Sequence, residues 1–190
     1  MELIRPEMDE DAAGVRRLLL TAFPTSAEAD LVERLRAAGK AVIELVAVDG
    51  DSIVGHVLFS PIALEPLAGT VGLGLAPLAV MPDHEHHGVG RRLIQNGLAE
   101  CHRWGAGFVV VIGDPPYYTR FGFEPAKKFG LRSEFDAGDA FLVFKLDSGA
   151  LPPSGTLVKY APEFSDLAKS PGAEPAVSRK ARRPARRPRG

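Results

Sequence analysis

The chain has 190 residues, 45% hydrophobic and 25% charged, the balance of one globular domain with or without a tail, and it can bury a core without disulfides or a structural metal. A single cysteine, Cys101, excludes an internal disulfide framework, and the start Met1-Glu2-Leu3-Ile4-Arg5-Pro6-Glu7 lacks the basic and apolar regions of a secretory leader, so a cytoplasmic protein is expected. The net charge of −1 conceals two opposite parts: from Lys169 onward there are eight basic residues and one acid, which leaves a net of −8 before them.

In chain order, Leu3-Ile4-Arg5 reads as a short strand. Asp9 is placed to cap a helix with Val15, Leu18, Leu19 and Ala22 on one side. Thr25 and Glu28 have capping-box spacing ahead of a second helix through Leu31, Val32 and Leu35, which Gly39 would stop. A strand from Val42 to Val48 turns at Asp49-Gly50 and returns from Ile53 to Ala63. The uncharged run Pro66 to Pro82 contains three glycines and Pro77 in 17 residues, the texture of a strand rather than a membrane span. A strand from Thr70 to Met81 is expected, with Val71, Leu73 and Leu75 alternating on one face. Pro77 cannot donate to a ladder, so it predicts a bulge or a release of pairing.

The loop Pro82 to Gly90 leads into a helix from Arg91 to Trp104 carrying Ile94, Leu98 and Cys101 on one stripe. Phe108 to Ile112 is a continuous apolar run, as in a strand covered on both faces. A helical turn around Pro115 to Phe121 and strands from Phe123 and over Asp139–Leu146 complete the order β-α-α-β-β-β-α-β-α-β-β, a mixed α/β domain over residues 1–168. Residues 169–190, basic and proline-rich with little to bury, read as a disordered tail.

Two segments carry candidate chemistry. A strand followed by Gly88-Val89-Gly90 and a helix opening with Arg91-Arg92 lets backbone N–H groups and the helix dipole face a diphosphate, with His86, His87 and the two arginines adding positive charge. The plainer reading is a glycine turn that only joins strand to helix. No Lys-Ser or Lys-Thr follows, so this is not an NTPase P-loop, and Gly72-Leu73-Gly74 is followed by more strand, not by the helix of a dinucleotide fold. The second segment, Gly113 to Phe123, puts Tyr117 and Tyr118 at the carboxyl edge of the sheet, where ligands gather in α/β folds; both can equally be packing aromatics. Cys101 belongs to an apolar stripe and reads as core. Asp83, His84, His86 and His87 lack the helical spacing of a metal site, and no serine-hydrolase elbow is present.

The run Leu78-Ala79-Val80-Met81-Pro82-Asp83-His84-Glu85-His86-His87-Gly88-Val89-Gly90 resembles the acetyl-CoA motif of the GNAT acetyltransferase superfamily, and Tyr117-Tyr118-Thr119-Arg120-Phe121-Gly122-Phe123 resembles its later Tyr-x-x-x-Gly-Phe segment. With Ser60-Pro61 and Gly155 to Tyr160, the pattern looks like the YhbS-like subgroup, over about residues 1 to 168. The resemblance implies a twisted, mostly antiparallel sheet flanked by helices, its fourth strand bulged at Pro77 and splayed from the fifth.

It also implies acetyl-CoA as co-substrate, held by Leu78, Ala79, Val80, His86, His87, Gly88, Val89, Gly90, Arg91, Arg92 and Tyr117. Transfer to an amine of a small molecule or peptide would be direct, with an N–H near Val80 stabilising the oxyanion and Tyr118 protonating the departing sulfur. Glu44 is the leading candidate base, with His56 and Asp114 as alternatives. One departure stands out: Glu85 occupies a position usually held by Gln or Arg, which implies weakened or rearranged coenzyme contacts. That acid also favours a rival expectation, a CoA-sensing module without catalysis. A third expectation is salt-dependent nucleic-acid binding by the basic tail.

Overall fold

The structure, a computed structural model, describes residues 2–146 and 151–167. The expected tail, residues 169–190, lies outside the described residues. The strands are β1 (Leu3–Pro6), β2 (Ile43–Asp49), β3 (Ser52–Pro61), β4 (Ala63–Glu65), β5 (Gly72–Val80), β6 (Phe108–Ile112), β7 (Glu124–Pro125), β8 (Arg132–Ser133), β9 (Phe141–Lys145) and β10 (Leu157–Lys159). The helices are α1 (Ala12–Ala22), α2 (Ala27–Ala37), α3 (Val89–Trp104) and the single turn α4 (Pro115–Tyr118). The main sheet has the order β1-β2-β3-β5-β6-β9-β7, and a small sheet has the order β4-β10-β8. All pairings in the main sheet are antiparallel except β5 with β6.

Alternation along the strands sorts the core into two layers. Helices α1 and α2 cover one face: Val15, Leu18 and Leu19 from α1 and Leu31, Val32 and Leu35 from α2 pack with Leu58, Ala76, Ala79, Val110 and Tyr160. Helix α3 covers the other, with Val89, Leu93, Ile94, Leu98 and Cys101 against Val57, Phe59, Leu75, Leu78, Val80 and Val111. Spacings of three and four residues put each apolar set on one helical stripe. The close approach of α3 to β3 requires Gly97, where any side chain would run into the Phe59 ring. Helix α2 stops as expected: Gly39 takes φ 66°, and the N–H groups of Gly39 and Lys40 reach back to Arg36 and Leu35.

Several local expectations change. Helix α1 starts after a short 3-10 turn at Asp9–Asp11, and Asp11 rather than Asp9 accepts the Met8 N–H and the Arg5 guanidinium. The Thr25–Glu28 capping box does not form; Thr25 accepts from Ala27 at 3.3 Å, and Glu28 turns inward to 2% exposure. The strand expected over Ile53–Ala63 ends at Pro61, and the chain then enters the small sheet. Both faces of Gly72–Val80 are buried while Val71 is exposed, so the simple alternation expected there gives way to a strand covered on two sides.

The feature that positions the site is the parting of β5 from β6. Their ladder holds only Gly72, Gly74 and the residue between against Phe108 to Val110. On its other edge β5 stays paired with β3 to Val80, with a shift where Ala76-Pro77 is spanned by Leu58 alone. Proline has no N–H to contribute, so the bulge falls there and turns the rest of β5 away from β6. Because β4 belongs to the small sheet, β5 and β6 are the fourth and fifth strands counted from the β1 edge of the main sheet.

Candidate active site

Beyond the parting, the backbone of β5 offers donors to the gap. Met81 N–H reaches Val54 on β3 at 2.9 Å. N–H groups alternate sides along a strand, so those of Val80 and Leu78 point to the opposite edge, where β6 no longer pairs. Leu78 and Val80 direct their side chains to the α3 layer and Ala79 to the α1/α2 layer. The chain then makes a 3-10 turn at Pro82–His84, bends through His86 with φ 64°, and enters α3 from Gly88 with φ 81°. Glycine holds that left-handed angle without strain. The N–H groups of Gly88, Val89, Gly90 and Arg91 have no acceptor within the helix and point outward from its positive end. His86, His87, Gly88 and Arg91 are exposed around this turn.

Arg92 is placed elsewhere. It pairs with the Glu2 carboxylate and donates to the Glu2 carbonyl at 3.0 Å, next to β1. One further step around the helix turns it from the loop toward the sheet edge, so it drops out of the group of side chains at the α3 start. Glu85 is half-buried, and its charge reaches Tyr117, adding to the burial that raises that phenol's pKa.

The two tyrosines close the site from the β6 side. Asp114 leads α4 and its carbonyl accepts from the N–H of both. The Tyr117 hydroxyl lies against α3: a Cβ on Gly90 would come within 2.6 Å of it. The Arg120 guanidinium stands 4.9 Å over the Tyr117 ring. Tyr118 is fully buried between Tyr117 and Phe123, with ring centroids at 5.1 and 5.4 Å. Its hydroxyl has no hydrogen-bond partner among the described residues. Burial, then the neighbouring hydroxyls of Tyr117 and Tyr160, raises its pKa well above the usual phenol range. A phenol in that setting keeps its proton until a strong base forms beside it.

Glu44 and His56 meet across the β2–β3 hairpin, with Nε2 donating to the carboxylate at 2.6 Å. Arg36 donates to the same carboxylate from Nε at 3.1 Å and Nη2 at 2.5 Å, and also pairs with Glu7 at 2.9 Å. Burial pushes the Glu44 carboxyl up, but hydrogen bonds from His56 and Arg36 outweigh it and hold it below the usual carboxylate range. In the neutral ring, donation from Nε2 leaves His56 Nδ1 as an acceptor; this nitrogen is buried and unpartnered among the described residues. Glu44 is therefore the anchor of a network, and the acceptor left open is His56. In the register of the sheet, His56 lies directly opposite Ala79, between Leu78 and Val80. A cleft of about 320 Å³ bounded by Glu7, Asp9, Ala12, Arg36, Ala41 and Glu44 opens over the outer end of the network.

A sequence profile described as an acetyltransferase (GNAT) domain matches residues 3–126. The chain belongs to the GNAT acetyltransferase family. Among similar proteins is the uncharacterized N-acetyltransferase YhbS of Escherichia coli (strain K12), 38% identical over 165 residues, 86% of this chain and 98% of that protein. The uncharacterized N-acetyltransferase YjhQ of the same strain is 37% identical over 118 residues, 60% of this chain and 65% of that protein. Among solved structures, the E. coli GNAT family N-acetyltransferase YhbS in complex with CoA superposes with a TM-score of 0.81 at 37% identity, covering 86% of this chain and 91% of that one. A GNAT acetyltransferase from Brucella melitensis in complex with acetyl-CoA gives a TM-score of 0.73 at 29% identity, covering 87% and 99%. The GNAT fold thus accounts for the mixed sheet, the parted strands and the glycine entrance to α3.

Some residues carry unfilled hydrogen-bonding capacity that the sequence did not reveal, Ser60 and Tyr160 having served only as marks of the subgroup. Ser60 Oγ and Tyr160 Oη are buried and, like Tyr118, unpartnered among the described residues. Arg36 is tied to Glu44 through packing that no motif encodes. The unfilled hydrogen-bonding capacity of these side chains depends on neighbours distant in the chain, so spacing alone could not expose it.

Proposed function

We propose that this GNAT protein transfers an acetyl group from acetyl-CoA to a primary amine of a small molecule or peptide, by direct attack of the amine on the thioester. The observation that carries the reading is the buried Tyr118 hydroxyl, unpartnered among the described residues, on the turn that follows β6, the strand from which β5 parts. The CoA and acetyl-CoA complexes of the E. coli and B. melitensis relatives support it.

The residues present fit such a co-substrate. The outward N–H groups from Gly88 to Arg91, helped by exposed His86, His87 and Arg91, suit a pyrophosphate, and Tyr117 borders that turn. Bound acetyl-CoA supplies an activated acetyl thioester. Val80 N–H is turned to where the carbonyl oxygen gains charge. As the amine nitrogen bonds to the acetyl carbon, the C–S bond breaks, and Tyr118 gives the leaving sulfur its proton. The ammonium sheds two protons: one passes to His56, backed by Glu44, and out through the cleft beside Glu7; the other restores the Tyr118 hydroxyl. A cytoplasmic setting suits this use of acetyl-CoA.

The test is thiol release from acetyl-CoA across a panel of primary amines, with calorimetric titration of CoA alongside. Turnover together with CoA binding is expected. CoA binding without turnover of any amine would favour the sensing module that Glu85 suggested, and absence of CoA binding would defeat both.

A further inference from the structure

The α1/α2 face of β5 has a floor of small residues. Gly72, Gly74, Ala76 and Ala79 face that layer, and side chains at the two glycines would collide with Phe108 and Tyr160 respectively. Three buried polar atoms border this floor, each without a partner among the described residues. Ser60 Oγ lies on the cross-strand neighbour of Gly74, His56 Nδ1 on that of Ala79, and the Tyr160 ring lies over Gly74, 2.8 Å from where a Cβ would stand.

Glu28 faces the same layer from above. It sits on the α2 stripe with Leu31, Val32 and Leu35, which pack into the layer that holds Ala76, Ala79 and Tyr160. It is 2% exposed, and Oε2 has no hydrogen-bond partner among the described residues. Burial raises its pKa, opposed only by a hydrogen bond from its own backbone; no neighbouring cation contributes. Buried carboxylates are ordinarily paired with a cation or bound to donors, because desolvating one alone is costly.

Resting on the acetyltransferase reading above, we infer that Glu28 is the counter-charge for the acceptor, and that the acceptor is a cationic primary amine with an apolar body and no carboxylate beside its nitrogen. A primary ammonium carries three donors and no acceptor, which complements the unpartnered Glu28 Oε2. The walls of the layer are aliphatic and aromatic: Tyr160 packs on Phe135 at 5.7 Å and on Phe164 at 5.2 Å. A carboxylate on the acceptor would be repelled by Glu28.

The experiment titrates 1-pentylamine and norleucine, its counterpart carrying a carboxylate, into the full chain saturated with CoA. Wild type should bind pentylamine at least about tenfold more tightly than norleucine, and Glu28→Gln should weaken pentylamine by about tenfold or more, the size expected for one charge-assisted contact. CoA affinity of Glu28→Gln should match wild type. Its melting temperature should hold or rise, since the substitution removes a buried carboxylate whose Oε2 has no hydrogen-bond partner among the described residues. Equal binding of the two probes, an unchanged Glu28→Gln affinity, or a variant that melts lower or fails to fold would each overturn the inference. Loss of CoA binding by the wild type would instead strike the acetyltransferase reading beneath it.

Discussion

Replacing Tyr118 with phenylalanine separates chemistry from packing. The ring is fully buried and keeps its contacts with Tyr117 and Phe123, so only the hydroxyl is lost. That hydroxyl has no partner among the described residues, and burying such a group costs about 1–3 kcal/mol. Tyr118→Phe should therefore stabilise the free protein by about 1 kcal/mol or more, a rise of about 2–4 °C per kcal/mol for a domain of this size. Turnover should move the other way. Loss of a positioned general acid lowers rates by about 10²–10⁴, equivalent to about 3–5 kcal/mol of barrier. The assay pairs thermal unfolding without ligand with thiol release under saturating acetyl-CoA, and CoA affinity should stay within about twofold. A variant that melts several degrees lower, or one that turns over at the wild-type rate, would refute the reasoning. Burial holds the phenol's proton above the ordinary tyrosine range, so no loss of wild-type activity from its ionisation should occur on the alkaline side up to that range.

Gly90→Ala should displace the Tyr117 hydroxyl, 2.6 Å from the added Cβ, and weaken CoA binding by about tenfold while leaving fold stability within about 1 kcal/mol, because alanine suits a helix; calorimetry and urea unfolding measure the two. Glu44→Gln should cost about 3–5 kcal/mol at neutral pH by removing the charge that Arg36 pairs with and that accepts from His56 Nε2. The folded Glu44 carboxyl lies below its unfolded value, so its contribution is present above the usual carboxylate range and fades as pH falls; urea midpoints of the two proteins should converge in acid. If residues 169–190 form the basic tail expected from the sequence, deleting them should leave CoA affinity and melting temperature unchanged while abolishing any retention on DNA at low salt.

How much was legible follows from how local each signal is. The long strands and α3 announce themselves through apolar runs, and the Gly88 entrance through a dihedral preference that glycine alone satisfies cheaply. Pro77 marks the bulge because the missing N–H is a property of the residue itself. Strands β4, β8 and β10 are two or three residues long, too short to show a period, and their pairing joins segments far apart in the chain. Thr25 and Glu28 show the limit of spacing as a guide: the capping pattern is there, but α2 turns Glu28 into the core. Likewise Arg92 reads as a phosphate ligand until Glu2, ninety residues away, comes to rest beside it.

Cys101 and Tyr118 are both buried and both of a type that could react, and the surroundings of Cys101 argue against it. Cys101 lies in the apolar stripe of α3 with Ile94 and Leu98 and has no exposure. Burial drives its thiol pKa far above the usual cysteine range, and the thiolate is the nucleophilic form. An acetyl-cysteine intermediate would thus need a charge that its surroundings forbid. Cys101→Ala should keep turnover within about twofold of wild type while lowering stability by about 1–2 kcal/mol through lost packing, and acetyl transfer should leave no covalent label on the intact protein by mass spectrometry. An acetylated Cys101, or a variant that folds but no longer transfers, would replace direct attack with a two-step route and move the catalytic centre from the parted strands to the middle of α3.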